Sequence, residues 1–246
     1  MKLKKLSYLA LSAAFISPLT VTADTLSVSV GGGAWNESSS GNFQKTTDLL
    51  AVDVKDNLFW GDESQGYFFA TLEHPVPILP NVRLLYTKLD QSGSGDTSFV
   101  FDGKPFGPTT VSNDFKIETT DLIAYYEVLD NVVSLDLGLN IRNLKADYTI
   151  VNGSTVTDTF DETVPMLYAL VGGSPLPDLI ISGELSYLAY SGSTISDFTA
   201  KVAYTTNFFV GFEAGYRQQK FEFDDVSGTN AKLDFSGVFA GAYLKF

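Results

Sequence analysis

After its first two dozen residues, this chain sets out its apolar residues in rows of period two, each about nine or ten residues long. Nowhere in that stretch is there a run of the ~18 apolar residues that a membrane helix needs. Leu26, Val28 and Val30 alternate with Ser27, Ser29 and Gly31. Val133, Leu135, Leu137, Leu139 and Ile141 alternate with Ser134, Asp136, Gly138, Asn140 and Arg142. Phe198, Ala200, Val202 and Tyr204 form another row, and so do Phe208, Val210, Phe212, Ala214 and Tyr216. Period two is the signature of a strand with one apolar face. Nine or ten tilted residues are what a strand needs to cross a hydrocarbon layer. In lipid every backbone polar group must be paired internally, so strands of this kind can span a membrane only as a closed barrel.

The rows carry aromatic residues at their ends, Phe208 with Tyr216 and Phe198 with Tyr204. Eight residues of tilted strand cover about 20 Å along the membrane normal, close to the ~25 Å apolar band between aromatic girdles. The connections supply a second pattern. Short turns are expected at Asp130-Asn131, around Ser174-Pro175-Leu176-Pro177, at Thr206-Asn207, and over the proline-rich segment from His74 to Asn81. Between them lie longer stretches rich in Gly, Ser, Thr and Asp, at 37–65, 91–114, 151–161, 191–195 and 224–230. Strict alternation of short and long connections separates periplasmic turns from extracellular loops in outer-membrane barrels. The expected fold is therefore an all-β, antiparallel, up-and-down transmembrane barrel. About ten strands are expected, at 24–36, 66–74, 81–90, 115–129, 131–149, 163–172, 178–190, 195–206, 208–223 and 231–246. Residues 43–54 suit either an extra strand or a folded piece of the first loop, which leaves eight to twelve strands open. Segment 163–172 is apolar on both faces, and the last row, Val238 to Phe246, changes parity to Leu233 and Phe235. A bulge near Ser236-Gly237 or apolar filling of the lumen would explain that change.

The start of the chain fits an exported protein. Lys2, Lys4 and Lys5 precede the short apolar run Leu6 to Ile16, and Val21-Thr22-Ala23 offers small residues before Asp24. Residues 1–23 read as a secretory signal peptide and 24–246 as one barrel domain. Three of the 16 basic residues and none of the 29 acidic ones fall in the leader, so the rest carries 13 basic against 29 acidic groups, a formal −16. Such an excess argues against a nucleic-acid partner, which needs a basic footprint. With no cysteine, disulfides, thiolate metal sites and a cysteine-linked lipid are excluded.

Gly31-Gly32-Gly33-Ala34-Trp35 ends the first strand, Glu73 to Asn81 forms the first turn, and Gly241-Ala242-Tyr243-Leu244-Lys245-Phe246 closes the chain. Together they resemble a family of small, mostly uncharacterised gammaproteobacterial outer-membrane β-barrels marked by a Gly-Gly near the mature N-terminus. The resemblance implies location and fold, and it brings no activity, cofactor or catalytic residue. It also implies that the terminal Phe246 belongs to the segment read by the barrel-assembly machinery.

The chemistry on offer is sparse. His74 is the single histidine, placed between Glu73 and Pro75 where the proline restricts a turn. Neither Gly-x-Ser-x-Gly nor His-Glu-x-x-His occurs. Loop acids Asp48, Asp53, Asp56, Asp62 and Glu63 lack the spacing of a calcium loop and read as a solvated surface. Trp35 and Trp60 read as rim anchors. The polar rows say more. If the apolar rows face lipid, Arg83, Glu127, Asp136, Arg142, Glu184, Lys201, Glu213 and Arg217 point into the lumen, either lining an ion-selective pore or plugging a narrow barrel with ion pairs. Barrels of about eight strands are filled by side chains, which favours the plug. The expected role is structural, surface-interacting or narrowly conducting, in a monomer that meets outer-membrane lipid and lipopolysaccharide. A soluble exported barrel holding an apolar ligand and a lipid-modifying enzyme are the alternatives.

Overall fold

In the computed structural model, residues 26–130 and 133–246 are described, and they contain no helix. The leader and the residues at 131–132 lie outside this range. Ten strands form one antiparallel barrel: β1 (Ser27–Lys45), β3 (Asp62–Glu73), β4 (Asn81–Asp96), β7 (Thr110–Asp130), β8 (Val133–Asn152), β9 (Ser154–Leu176), β10 (Leu179–Tyr190), β11 (Ser193–Thr205), β12 (Val210–Val226) and β13 (Thr229–Lys245). Each pairs with its neighbour in chain order. The barrel closes where β13 pairs with β1, in unbroken register from Ser29↔Lys245 to Lys45↔Thr229. At the rim where Leu26 and Phe246 lie, the seam ends in a reciprocal pair, Phe246 N to Val28 O at 2.8 Å and Val28 N to Phe246 O at 3.0 Å. Three short strands stand apart from the wall: β2 (Val52–Asp53), which pairs with Asn42 and Phe43, and the hairpin of β5 (Phe99–Phe101) with β6 (Lys104–Phe106). Residues 43–54 thus contribute the tip of β1 and a folded piece of the first connection, and no extra barrel strand.

The outer face changes character at one level across four strands. Leu84, Leu122, Ile141 and Pro165 are paired neighbours, and two residues higher stand Tyr86, Thr120, Asn143 and Thr163. Two residues above these come Lys88, Glu118, Lys145 and Asp161. Ion pairs run along this upper tier, Lys116 to Glu118 at 3.1 Å and Lys145 to Asp161 at 3.7 Å, with Lys88 paired to Asp90. On the far side of the barrel Tyr216 and Val238 give way to Gln218 and Ser236, then to the pair Lys220–Asp234. Below this boundary the outside is apolar, with Leu122, Leu137, Leu139, Val202, Phe212 and Val238 all exposed.

The strands do not stop at the boundary. The connections expected as loops at 151–161, 191–195 and 224–230 are strand ends joined by tight turns, and β1, β4 and β7 also run well into the stretches expected as loops. Ser191-Gly192 and Ser227-Gly228 have positive φ at both residues, the turn geometry that matches strand twist. The outer face turns polar once a strand leaves the apolar band, so an apolar row ends there while backbone pairing continues. The last strand needs no bulge. Ala231, Leu233, Phe235 and Phe239 all point inward in one register, and it is the lumen that is partly apolar. Segment 163–172 behaves alike, with Val164, Met166 and Tyr168 buried inside and Leu167 outside.

Two glycines make room for an inward ring. A Cβ on Gly33 would lie 2.8 Å from the Tyr67 hydroxyl and 2.6 Å from Gly241 Cα, and one on Gly241 would lie 2.3 Å from the same hydroxyl. Small residues opposite large ones are how a narrow barrel fills its interior.

Candidate functional site

The lumen is built in layers. At the level of the apolar belt it holds four cations, Arg83, Arg142, Lys201 and Arg217, and four carboxylates, Asp121, Glu184, Asp197 and Glu213. Strand parity puts them there, because each alternates along its strand with a residue of the outer face. Arg83 meets Glu184 at 2.7 Å, and Lys201 bridges Glu184 at 2.9 Å and Glu213 at 3.5 Å. The Tyr67 hydroxyl donates to Glu213 at 2.7 Å. Arg142 grips both oxygens of Asp121, at 2.7 and 3.0 Å, and donates to Asp197 at 2.5 Å. Arg217 holds Asp197 from the other side at 3.0 and 2.7 Å, stacks over the Trp35 ring at 5.1 Å and donates to Thr87 at 2.8 Å. Gln219 adds a third donor to Asp197 at 2.7 Å. Bidentate guanidinium–carboxylate contacts of this kind combine strength with fixed geometry. A cavity of about 30 Å³ remains among Arg83, Glu184, Lys201, Glu213 and Arg217, room for a few waters and no more.

Of the residues singled out in the sequence, Arg83, Arg142, Glu184, Lys201, Glu213 and Arg217 meet in this layer. Glu127 and Asp136 lie nearer the terminal rim as register partners, with Asn81 donating to Glu127 at 3.2 Å. Sequence reasoning missed Asp121 and Asp197, although each falls on the inward row of its own strand, Asp121 with Glu127 and Asp197 with Lys201. It also missed Glu37 and Gln91, which hydrogen-bond to each other at 2.5 Å inside the lumen, because both lie in stretches assigned to loops.

Above the charges the lumen is apolar and capped. The two tryptophans are not rim anchors: Trp35 and Trp60 are both buried inside the barrel. Their size and their single donor suit a packed interior here, with Trp60 Nε1 donating to Asn113 at 2.8 Å and Trp35 Nε1 to the Gly237 carbonyl at 3.3 Å. The connection after β1 folds inward on Val52, Val54 and Leu58, all buried, and Asn113 donates back to the Leu58 carbonyl at 2.8 Å. The β5–β6 hairpin adds Phe101, edge-on to Phe43 at 5.2 Å. Asp48 joins the two loops by accepting from the backbone N–H groups of Asp102 at 2.8 Å and Gly103 at 3.0 Å. Asp53 accepts from the N–H groups of Lys55 and Asp56 within its own turn. Beside this cap remains a cavity of about 190 Å³, lined chiefly by Phe43, Phe115, Leu144, Phe160, Phe221 and Phe223. At its edge Lys45 meets Asp158 at 2.7 Å. Burial alone would lower the Lys45 pKa, but Asp158 and Tyr148 together outweigh it and raise it. The same bond holds the Asp158 carboxyl below the ordinary carboxylate value.

His74 sits in the turn between β3 and β4. Its Nε2 lies 3.1 Å from the Pro80 carbonyl, and its Nδ1 accepts from Val76 N–H at 3.3 Å. Among the described residues no three His, Cys, Asp or Glu side chains converge to hold a metal.

A closed, ten-stranded antiparallel barrel with an apolar outer belt and a charged interior has the architecture of the outer-membrane β-barrels. No protein-family model matches the sequence, and no curated protein matches it. Solved structures do. The outer-membrane protease OmpT of Escherichia coli superposes with a TM-score of 0.53 at 10% identity, over 94% of this chain and 99% of that one. Ail, the attachment invasion locus protein of Yersinia pestis, gives a TM-score of 0.40 at 12% identity, over 91% and 100%. Neisserial surface protein A gives 0.36 at 16% identity, over 91% and 99%. At such identities the likeness is one of fold.

Proposed function

We propose that this chain is an integral protein of a bacterial outer membrane, plugged at membrane depth, that acts through the surface it raises beyond the bilayer. The observation carrying this reading is the balanced layer of eight charges paired across the lumen. Charges at membrane depth are costly unless paired, and here they pair with one another across the axis. The common level at which the outer face turns from apolar to charged supports membrane insertion, with the rim bearing Leu26 and Phe246 in the periplasm. Phe246, at the closing seam, is the residue we assign to recognition by the assembly machinery, and the Gly-Gly segment supports membership of the family it resembles. Lipopolysaccharide would surround the charged tier above the belt, around a monomeric barrel. A role other than catalysis is supported by His74, whose ring is engaged within a terminal-rim turn.

Two measurements test this. The native protein is expected in the outer-membrane fraction, and recovery from the soluble periplasm would overturn the reading. In planar bilayers the purified protein is expected to show no steady current of porin size, and such a current would mean that the charged layer does not close the lumen.

A further inference from the structure

The chamber above the charged layer has an incomplete wall. β10 and β11 turn back early, so the last pairing of β10 with β9 is Tyr187↔Leu167, and the last of β11 with β12 is Thr194↔Glu222. β9 continues to Ser154 and β12 to Val226, and although Asp224 N–H still donates to Ser193 Oγ at 3.0 Å, a notch opens between β9 and β12 above the β10–β11 hairpin. The 190 Å³ cavity reaches this notch. Phe160 of β9 and Phe223 of β12 both line it, and their rings meet across the notch with centroids 5.8 Å apart. Thr159, an outward residue of β9, lines the cavity too.

The lining selects the chemistry. Phe43, Phe115, Ile117, Leu144, Phe221 and Leu233 present only hydrocarbon, and of the polar lining residues Asp158 and Thr229 bind Lys45 while the Tyr148 hydroxyl donates to Asp158. A cavity of about 150 Å³ is large enough to take up benzene, so this one has room for a single aromatic ring. We propose that the chamber is a binding site for a compact, neutral apolar molecule of about one aromatic ring. The ligand enters sideways through the notch, past the Phe160–Phe223 pair. The proposal goes beyond the plugged-barrel reading and does not depend on it, since a lumen found to conduct would leave the chamber and its notch in place.

Trp60 supplies the test, because its ring lies 4.8 Å from that of Phe115 in the chamber lining. The full-length protein in phosphatidylcholine nanodiscs is titrated with bromobenzene, a heavy-atom quencher, while tryptophan emission is followed. Quenching is expected to saturate, and the saturable part is expected to be lost in Trp60→Phe, where only Trp35 reports. Ala231→Phe and Ala146→Phe each fill the chamber from a different strand and should abolish saturation while keeping the compact gel mobility of a folded barrel. In the double variant Phe160→Ala/Phe223→Ala, stopped-flow quenching should begin several-fold faster. Quenching of the native chain that only rises linearly with bromobenzene would overturn the site, as would unchanged saturation in a folded, filled variant. An onset rate unaltered by opening the aromatic pair would overturn lateral entry.

Discussion

Asp197 accepts hydrogen bonds from Arg142, Arg217 and Gln219 while buried in the lumen. Removing it leaves two guanidinium groups facing each other without their shared anion, and unpairing a buried charge costs about 3–5 kcal/mol. Asp197→Ala should therefore lower unfolding stability in lipid by about that amount, and Glu213→Leu should also be costly by leaving Lys201 with Glu184 alone and the buried Tyr67 hydroxyl without its acceptor. Asp62→Ala, at an exposed position, should stay within about 0.5 kcal/mol. Urea titration of the reconstituted protein measures all three, and equal effects would contradict the inward placement of these charges. The Lys45–Asp158 pair behaves differently because Asp158 is half exposed. Its carboxyl has a depressed pKa, so its contribution is present above the ordinary aspartate value near 3.9 and disappears as the pH falls through the lower folded value. Lys45, with a raised pKa, keeps its contribution below the ordinary lysine value and loses it as the pH rises through the folded one. The two losses lie at opposite ends, so the tie between β1 and β9 spans neutral pH. Amide-exchange protection factors at the tips of β1 and β9, corrected for the intrinsic rate at each pH, should fall only in strong acid or strong alkali, and Asp158→Asn should cost less than about 1 kcal/mol.

At the level of elements, parity carried most of the information. Alternation alone put Leu137, Leu139 and Ile141 on one face and Asp136 and Arg142 on the other, and the expectation of a lipid-facing apolar row turned the charges inward. What alternation could not show was where strands end, because beyond the charged tier neither face of β4, β7 or β8 is reliably apolar. Nor could it show that the connection after β1 turns into the lumen. Val52, Val54 and Leu58 look like an ordinary short apolar run, and only packing against Trp60 and Phe101 gives them a place. The same gap misplaced Trp35 and Trp60, since a tryptophan at a strand end suits an interface as readily as a core. This cap gives a prediction of its own. Leu58→Asp should unseat the connection and shift Trp60 emission to longer wavelength, while the barrel keeps its folded gel mobility. Leu50→Asp should do neither, because Leu50 is already largely exposed.

For the molecule as a whole, the closing contact joins residues 184 or more positions apart, from Lys45 with Thr229 down to Ser29 with Lys245. Until the final strand arrives, β1 and β12 are open edges. Loop-closure cost rises only slowly with length, so the seam's penalty is one of order and timing more than of energy. The reward for β1 comes last, after every other wall contact has a partner available nearer in the chain. Long unpaired edges are templates for association between chains. A chain cut after Gly228 should therefore not yield a smaller barrel. It should sediment as aggregate when refolded into lipid vesicles under conditions in which the full chain inserts. The seam of β13 with β1 thus makes the barrel's integrity depend on β13 being made, so a copy interrupted before that strand has no stable intermediate shape to fall back on.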